Sequence, residues 1–220
     1  MKVTFLGHAC FQIDTGKEKI LIDPFLTGNA LAAVSADEVE ADLILVTHGH
    51  GDHVGDAEAI ARRTGAKIIC TVDLAEGAFA GKGLNVIAGN LGGKILMPFG
   101  SVKFVQAIHG SGVAGTLSNG FLITAGDKKI YHAGDTALTM DMQLLKADNV
   151  DLALLPIGDF FTMGPEDALR AAEMIQAKTV VPMHYDTFPP IRQDPEEFVK
   201  SVKKAGLRAE VLKPGESIEV

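Results

Sequence analysis

Apolar residues occur in short runs broken by glycine, proline and polar turns, the pattern of a strand-rich chain with intervening helices. Residues 2–6, 10–14 and 18–22 run or alternate apolar, and Thr15-Gly16-Lys17 between the last two predicts a hairpin. Residues 24–40 are irregular. The run Ala41-Asp42-Leu43-Ile44-Leu45-Val46 predicts a buried strand, and 54–63 have the spacing of a helix. Another strand is expected at 66–70 and a short helix near 73–80. Gly81, Gly83, Gly89, Gly92 and Gly93 then punctuate short strands, as in a hairpin-rich sheet. Beyond them, 102–108 predict a strand, and 119–124 and 129–132 a hairpin across Gly126-Asp127. A helix over 137–147, a buried strand over 152–157, a helix opening at Pro165 and running to about Lys178, and a strand over 179–183 follow. Asp194-Pro195-Glu196-Glu197 caps a last helix, and 213–216 turn between two terminal strands.

The chain has 220 residues, 47% hydrophobic and 22% charged, which suits one domain over 1–220 with a sizeable core. Its net charge of −8 lacks the basic footprint of a nucleic-acid binder. No apolar run approaches a membrane span, and the interrupted N-terminus does not read as a signal sequence. Cys10 and Cys70 lie in apolar runs and read as buried free thiols of a reducing compartment. These features predict a cytoplasmic protein with no nucleic-acid or membrane partner. Edge strands leave homo-oligomerisation open.

One segment is dense in coordinating groups: Thr47-His48-Gly49-His50-Gly51-Asp52-His53, directly after the buried strand. Its glycines let the backbone bend sharply between ligands, and imidazole with carboxylate suits zinc and neighbouring metals. His48, His109 and His184 each stand at the carboxyl end of a predicted strand, and Asp135 lies just past another. Loops at such strand ends share one functional edge, so residues distant in sequence converge there. His8, between the first two strands, reads either as a loop histidine or as a group behind the ligands or on the substrate. His132 reads as packing or as a proton carrier, and Asp23 closes the third strand. Phe25, Phe160, Phe161 and Phe188 either line an apolar pocket or pack the core edge, and Arg192 is the one arginine in the expected rim.

The motif His-x-His-x-Asp-His at 48, 50, 52 and 53, with His109, Asp135 and His184 in order, resembles the metallo-β-lactamase-fold hydrolases over nearly the whole chain. Gly7-His8-Ala9, Ile22-Asp23-Pro24, His132-Ala133-Gly134-Asp135-Thr136 and Pro182-Met183-His184-Tyr185 are similar to the uncharacterised UPF0173-type metal-dependent hydrolases. The resemblance implies an α/β fold, a four-layer αβ/βα sandwich. It implies two divalent ions, zinc first, with manganese, iron or nickel compatible. One ion would take His48, His50 and His109, the other Asp52, His53 and His184, with Asp135 between them. It implies a hydrolase in which a metal-bridging hydroxide attacks a small ester, lactone, amide or phosphodiester. Asp52 is the proposed proton shuttle, and His8, His132 and Asp23 are candidate supporting or substrate groups. The alternatives are an oxidoreductase like the mononuclear iron persulfide dioxygenases, and a phosphodiesterase acting on nucleic acid. A non-catalytic protein on the same fold would be expected to lose ligands, and none is lost.

Overall fold

The computed structural model describes residues 1–220. The first half builds one sheet. β1 (Lys2–Gly7), β2 (Cys10–Asp14) and β3 (Lys19–Ile22) pair antiparallel. β4 (Leu43–Leu45) adds parallel to β3 and leads into two helices, α1 (Gly51–Val54) and α2 (Ala57–Thr64). β5 (Lys67–Thr71) follows, then α3 (Val72–Leu74), which continues as a π-helical turn over Ala75–Phe79, and then β6 (Val86–Gly89). The second half builds the other sheet from β7 (Lys94–Met97), β8 (Gly100–Gln106), β9 (Asn119–Ala125) and β10 (Lys128–His132). A 3₁₀ helix (Met140–Asp148), β11 (Leu152–Pro156), α4 (Pro165–Ile175), β12 (Thr179–Met183) and α5 (Pro195–Lys204) complete it, and β13 (Ser217–Glu219) returns to the edge beside β1. The orders are β13-β1-β2-β3-β4-β5-β6 and β12-β11-β10-β9-β8-β7.

The period-two rule explains how near-continuous apolar strands serve two faces. Ile20, Ile22, Leu43, Leu45 and Ile69 face the core between the sheets, with Phe11, Phe104, Phe121 and Tyr131. Their neighbours Leu21, Ile44, Ile68 and Cys70 face outward, under Ala57, Ile60, Leu74 and Phe79 of the helices. Helices on the outer side of each sheet give the expected four layers. Both cysteines are buried and free.

Five expectations shift. The helix expected over 54–63 is split by Gly55, whose φ is +40° and where a Cβ would lie 2.3 Å from the Pro24 carbonyl oxygen. Asp52 and His53 therefore sit on the one-turn α1. The glycine-rich stretch is not one hairpin-rich sheet: β6 runs parallel to β5, and the chain then crosses to start the second sheet at β7. The helix expected over 137–147 is 3₁₀ over Met140–Asp148, and α4 stops at Ile175 because Gln176 is left-handed, φ +53°. Before the 213–216 turn there is only an isolated bridge, Ala209 to Val180, so a single terminal strand follows it. No helix is long and apolar enough to cross a membrane.

Candidate metal centre

All seven residues of the expected ligand set meet at the carboxyl ends of β4, β8, β10 and β12. Donor atoms of His48, His50 and His109 lie within 4.8 Å of one another. So do those of Asp52, His53 and His184, with His8 in the same group. Asp135 joins the two: its Oδ1 is 3.3 Å from His53 Nε2, and its Oδ2 is 3.1 Å from His184 Nε2 and 3.4 Å from His109 Nε2. His48 Nε2 and His50 Nδ1 are 3.0 Å apart.

These spacings test whether a metal fits. Two donors each 2.0–2.1 Å from a tetrahedral zinc lie about 3.3 Å apart. The four distances, 3.0 to 3.4 Å, lie close to that value. Buried polar atoms ordinarily have partners. Here His53 Nε2, Asp135 Oδ1 and His184 Nε2 are buried with no hydrogen bond, and each aims into the cluster. A cation among them supplies the missing partner, so the residues fit the implied group.

The surroundings fix which nitrogens are free. Thr47 donates its hydroxyl to Asp23 Oδ2 at 2.7 Å, so its oxygen accepts from His48 Nδ1 at 3.0 Å. His48 therefore presents a bare Nε2. Asp23 Oδ2 also accepts from His53 Nδ1 at 2.8 Å, which leaves His53 Nε2 for the cluster. Asp23 Oδ1 takes the Thr47 backbone N–H. One buried carboxylate thus orients two histidines, the arrangement that tunes metal-ligating imidazoles. Asp23, read from the sequence as a candidate supporting or substrate group, is buried behind the histidines.

His8 is buried between Phe25 and Phe188, whose rings each sit 5.5 Å from it. Its Nε2 lies 3.1 Å from Asp52 Oδ2 and its Nδ1 2.8 Å from Thr187 Oγ1. Burial pulls its pKa down to about 4, against the opposing pull of Asp52. Neutral His8 must then donate from Nε2 to the carboxylate and accept from the threonine hydroxyl at Nδ1. Its carbonyl accepts the His184 N–H at 2.8 Å, and its ring lies 4.0 Å from that of His184. His8 and His184 are both left-handed, φ +59° and +57°, as is Asp23 at +46°. Non-glycine residues in this region carry strain that tends to be kept at functional sites.

His132 does not reach the ligands. Its Nε2 bonds the Ala9 carbonyl at 2.9 Å and its Nδ1 accepts the Gly134 N–H, so it ties the two sheets together beneath the Asp135 loop. Both ring nitrogens are occupied by backbone groups, which leaves none to carry a proton to a substrate.

The electrostatics follow from packing. Burial pushes the His48 pKa far down, and the neighbouring His53 adds to it. Burial also opposes a charge on His53, but Asp135 and Asp23 on either side outweigh it and raise its pKa well above the usual value. Burial works against ionising Asp135, yet His53 and His184 hold it well below the carboxylate range. Burial likewise works against ionising Asp52, but the His8 hydrogen bond and the nearby His53 and His8 together outweigh it and keep Asp52 low. Burial lowers His109 and His132.

The cluster floors a cavity of about 200 Å³ lined by His50, Asp52, His109, Asp135, His184 and Phe161. Of the phenylalanines weighed in the sequence, Phe161 alone lines this space, while Phe25 and Phe188 pack on His8. Arg192 is exposed and not in the lining. Thr47 and Thr187 carried no role in the sequence reading; only their adjacency in space to two histidines reveals one.

A family model described as the beta-lactamase superfamily domain matches residues 2–184. The UPF0173 metal-dependent hydrolase of Shouchella clausii is 52% identical, with all of both chains covered. That of Thermus thermophilus is 48% identical, covering all of this chain and 99% of its own. Among solved structures, a metallo hydrolase from the archaeon Ignicoccus hospitalis superposes with a TM-score of 0.93 at 38% identity, covering 100% of this chain and 98% of that one. The diiron β-hydroxylase CmlA of Streptomyces venezuelae shares the fold alone, at 16% identity and a TM-score of 0.78, with 100% of this chain and 54% of that one covered. Sandwich, site geometry and relatives agree, and the chain belongs to the beta-lactamase superfamily as a metal-dependent hydrolase of the UPF0173 group.

Proposed function

We propose that residues 1–220 form one domain, a dinuclear hydrolase acting on a small ester, lactone, amide or phosphodiester. His48, His50 and His109 would hold one divalent ion, Asp52, His53 and His184 a second, and Asp135 both. Zinc is the first choice for this set, since the tetrahedral spacing suits it, and manganese, iron and nickel accept the same donors. When bound, such ions make water nucleophilic near neutral pH and polarise the attacked oxygen.

The chain's own residues do the rest. Asp52, 26% exposed where Asp135 is 3%, is the more open of the two carboxylates that line the cavity. It is held ionised, with Oδ2 engaged by His8, so that Oδ1 is free to orient the attacking water and accept its proton. Asp23 and Thr47 keep His48 and His53 in the tautomers that leave Nε2 bare. His50, His109 and His184 wall the space in which the substrate's reacting bond would sit. The cavity's size suits a small molecule rather than a polymer, and the −8 charge argues against nucleic acid. The protein is proposed to act in the cytoplasm.

The observation that carries this reading is the set of buried, unpartnered atoms on His53, His184 and Asp135 converging on one point. The second reading, a mononuclear iron oxygenase acting on persulfides, leaves Asp52, His53 and His184 without a purpose. The test is a screen of ester, lactone, amide, thioester and phosphodiester substrates against metal-reconstituted protein, with His50→Ala beside it. Hydrolysis that disappears in the variant is expected. Activity that survives it, or oxygen consumption with a persulfide and no hydrolysis, overturns the reading.

A further inference from the structure

The segment between β11 and α4 holds two phenylalanines out in water. Phe160 is 71% and Phe161 51% exposed, their rings edge to face at 4.9 Å. Exposed rings of this size leave much apolar area unburied, so a fold does not fix them there without a use. Yet the loop is firmly built. Asp159 N–H bonds the Met163 carbonyl at 3.0 Å, and Phe160 N–H the Gly158 carbonyl at 3.0 Å. Thr162 N–H bonds the Asp159 carbonyl, and Met163 N–H bonds the Thr136 carbonyl beside Asp135. Met163 itself is buried as the anchor, and Asp159 is left-handed at φ +68°.

Phe161 shares the cavity with His50, Asp52, His109, Asp135 and His184, and no lysine or arginine is among them. The same loop lends Asp159 to a separate depression lined by Glu166 and Asp167, which brings no positive charge either. Sites that bind phosphoryl groups usually answer their charge with arginine or lysine. This lining offers an aromatic wall instead. Ile108, next to His109, and Leu117, on the segment after it, are exposed too, 52% and 58%.

We infer that the site takes a neutral carbonyl substrate bearing an apolar or aromatic group, with Phe161 as the surface against which that group packs. This rests on the hydrolase reading and narrows it, setting acyl compounds above phosphodiesters. In the reaction a water oxygen bonds to the carbonyl carbon and the bond from that carbon to the leaving oxygen breaks. The leaving alcohol takes one proton of the water, and the acid keeps the oxygen. Phe161 touches only the acyl side and fixes selectivity.

The test uses zinc-loaded, full-length protein and the p-nitrophenyl esters of acetate, hexanoate and phenylacetate, with bis(p-nitrophenyl) phosphate alongside. The larger esters are expected to exceed acetate in kcat/KM by about tenfold or more, mainly through KM, as burying a few methylenes predicts. The phosphodiester is expected to fall below all three. Phe161→Ala should bring the ratio of large to small ester to about one, and Phe161→Leu should keep part of it. Hydrolysis independent of acyl size, a preference for the phosphodiester, or selectivity unchanged in Phe161→Ala overturns the inference while leaving the hydrolase reading intact. If no substrate is turned over, the hydrolase reading fails, and a second readout still decides the wall. Phenylacetamide, titrated against the zinc-loaded protein by NMR, should shift the Phe160 and Phe161 signals at millimolar concentration where acetamide does not. No shift, or a shift that tracks protein dilution and so reports a second copy of the chain on the loop, overturns it.

Discussion

The two sheets contribute to the metal centre in different ways. The first supplies four candidate ligands from one short segment, His48 to His53, and backs them with Asp23 and Thr47. The second supplies His109, Asp135 and His184 singly, each from a different strand end. In the first, a hydrogen bond through the far ring nitrogen sets the histidine. His184 has no such bond on Nδ1 and is held by strain, by its backbone bond to His8 and by that ring's face. Rigidity is local on one side and borrowed from the packing of the sheets on the other. Asp135, bonded to neither sheet's supports but close to histidines from both, is where the two schemes depend on each other.

Asp135→Ala attacks that junction and should have the largest effect. Hydrolysis should fall about 10³-fold or more, and both metals should be depleted. Elemental analysis and steady-state rates check it, and metal retained at the wild-type ratio would break the comparison. Asp23→Asn weakens only the first sheet's side. The amide cannot accept from His53, Thr47 Oγ1 and the Thr47 N–H together, so metal affinity should drop 10–100-fold, read by chelator competition. An unchanged affinity would mean that the ligands are set by packing on both sides.

Acid should act on the metal-free protein through the buried neutral histidines. His8, with its pKa near 4 in the fold and near 6.5 unfolded, binds fewer protons folded than unfolded in that window. Its contribution is therefore complete above 6.5 and is lost as pH falls toward 4, about 2 kcal/mol at pH 5. His48, His109 and His132 shift in the same direction. His53 runs the other way: its contribution is full below 6.5 and is lost as pH rises through its raised value. The melting temperature should fall on acidification from 6.5, less steeply in His8→Gln, and a rise would contradict the assignment. The smallest effect belongs to Lys82→Gln, on the exposed Glu58–Arg62–Lys82 group beside α2. Neither metal content nor melting temperature should move measurably.

The difference between the sheets also explains what could be read from the sequence. The dense segment announces itself, because metal chemistry compressed into His48–His53 has few other uses. The first strands of that half followed from its apolar runs, and the pairing of β2 with β3 from the Gly16 hairpin. His109, Asp135 and His184 were legible only as repeated placement at strand ends, together with the family resemblance. Thr47 and Thr187 were silent, since a threonine's value as a relay depends on which ring lies 3 Å away. His132 stayed open between packing and proton carriage, because its place in the sequence gives no hint that backbone groups hold both its nitrogens. The break at Gly55 was hidden as well: its cause, the Pro24 carbonyl, is 31 positions distant in sequence and adjacent only in the fold.

Metal stoichiometry tests the convergence of the two sheets most directly. Protein purified without chelator should carry close to two divalent ions per chain, and His184→Ala close to one. Well under one ion per chain in the wild type, not restored by added zinc or manganese, would contradict it.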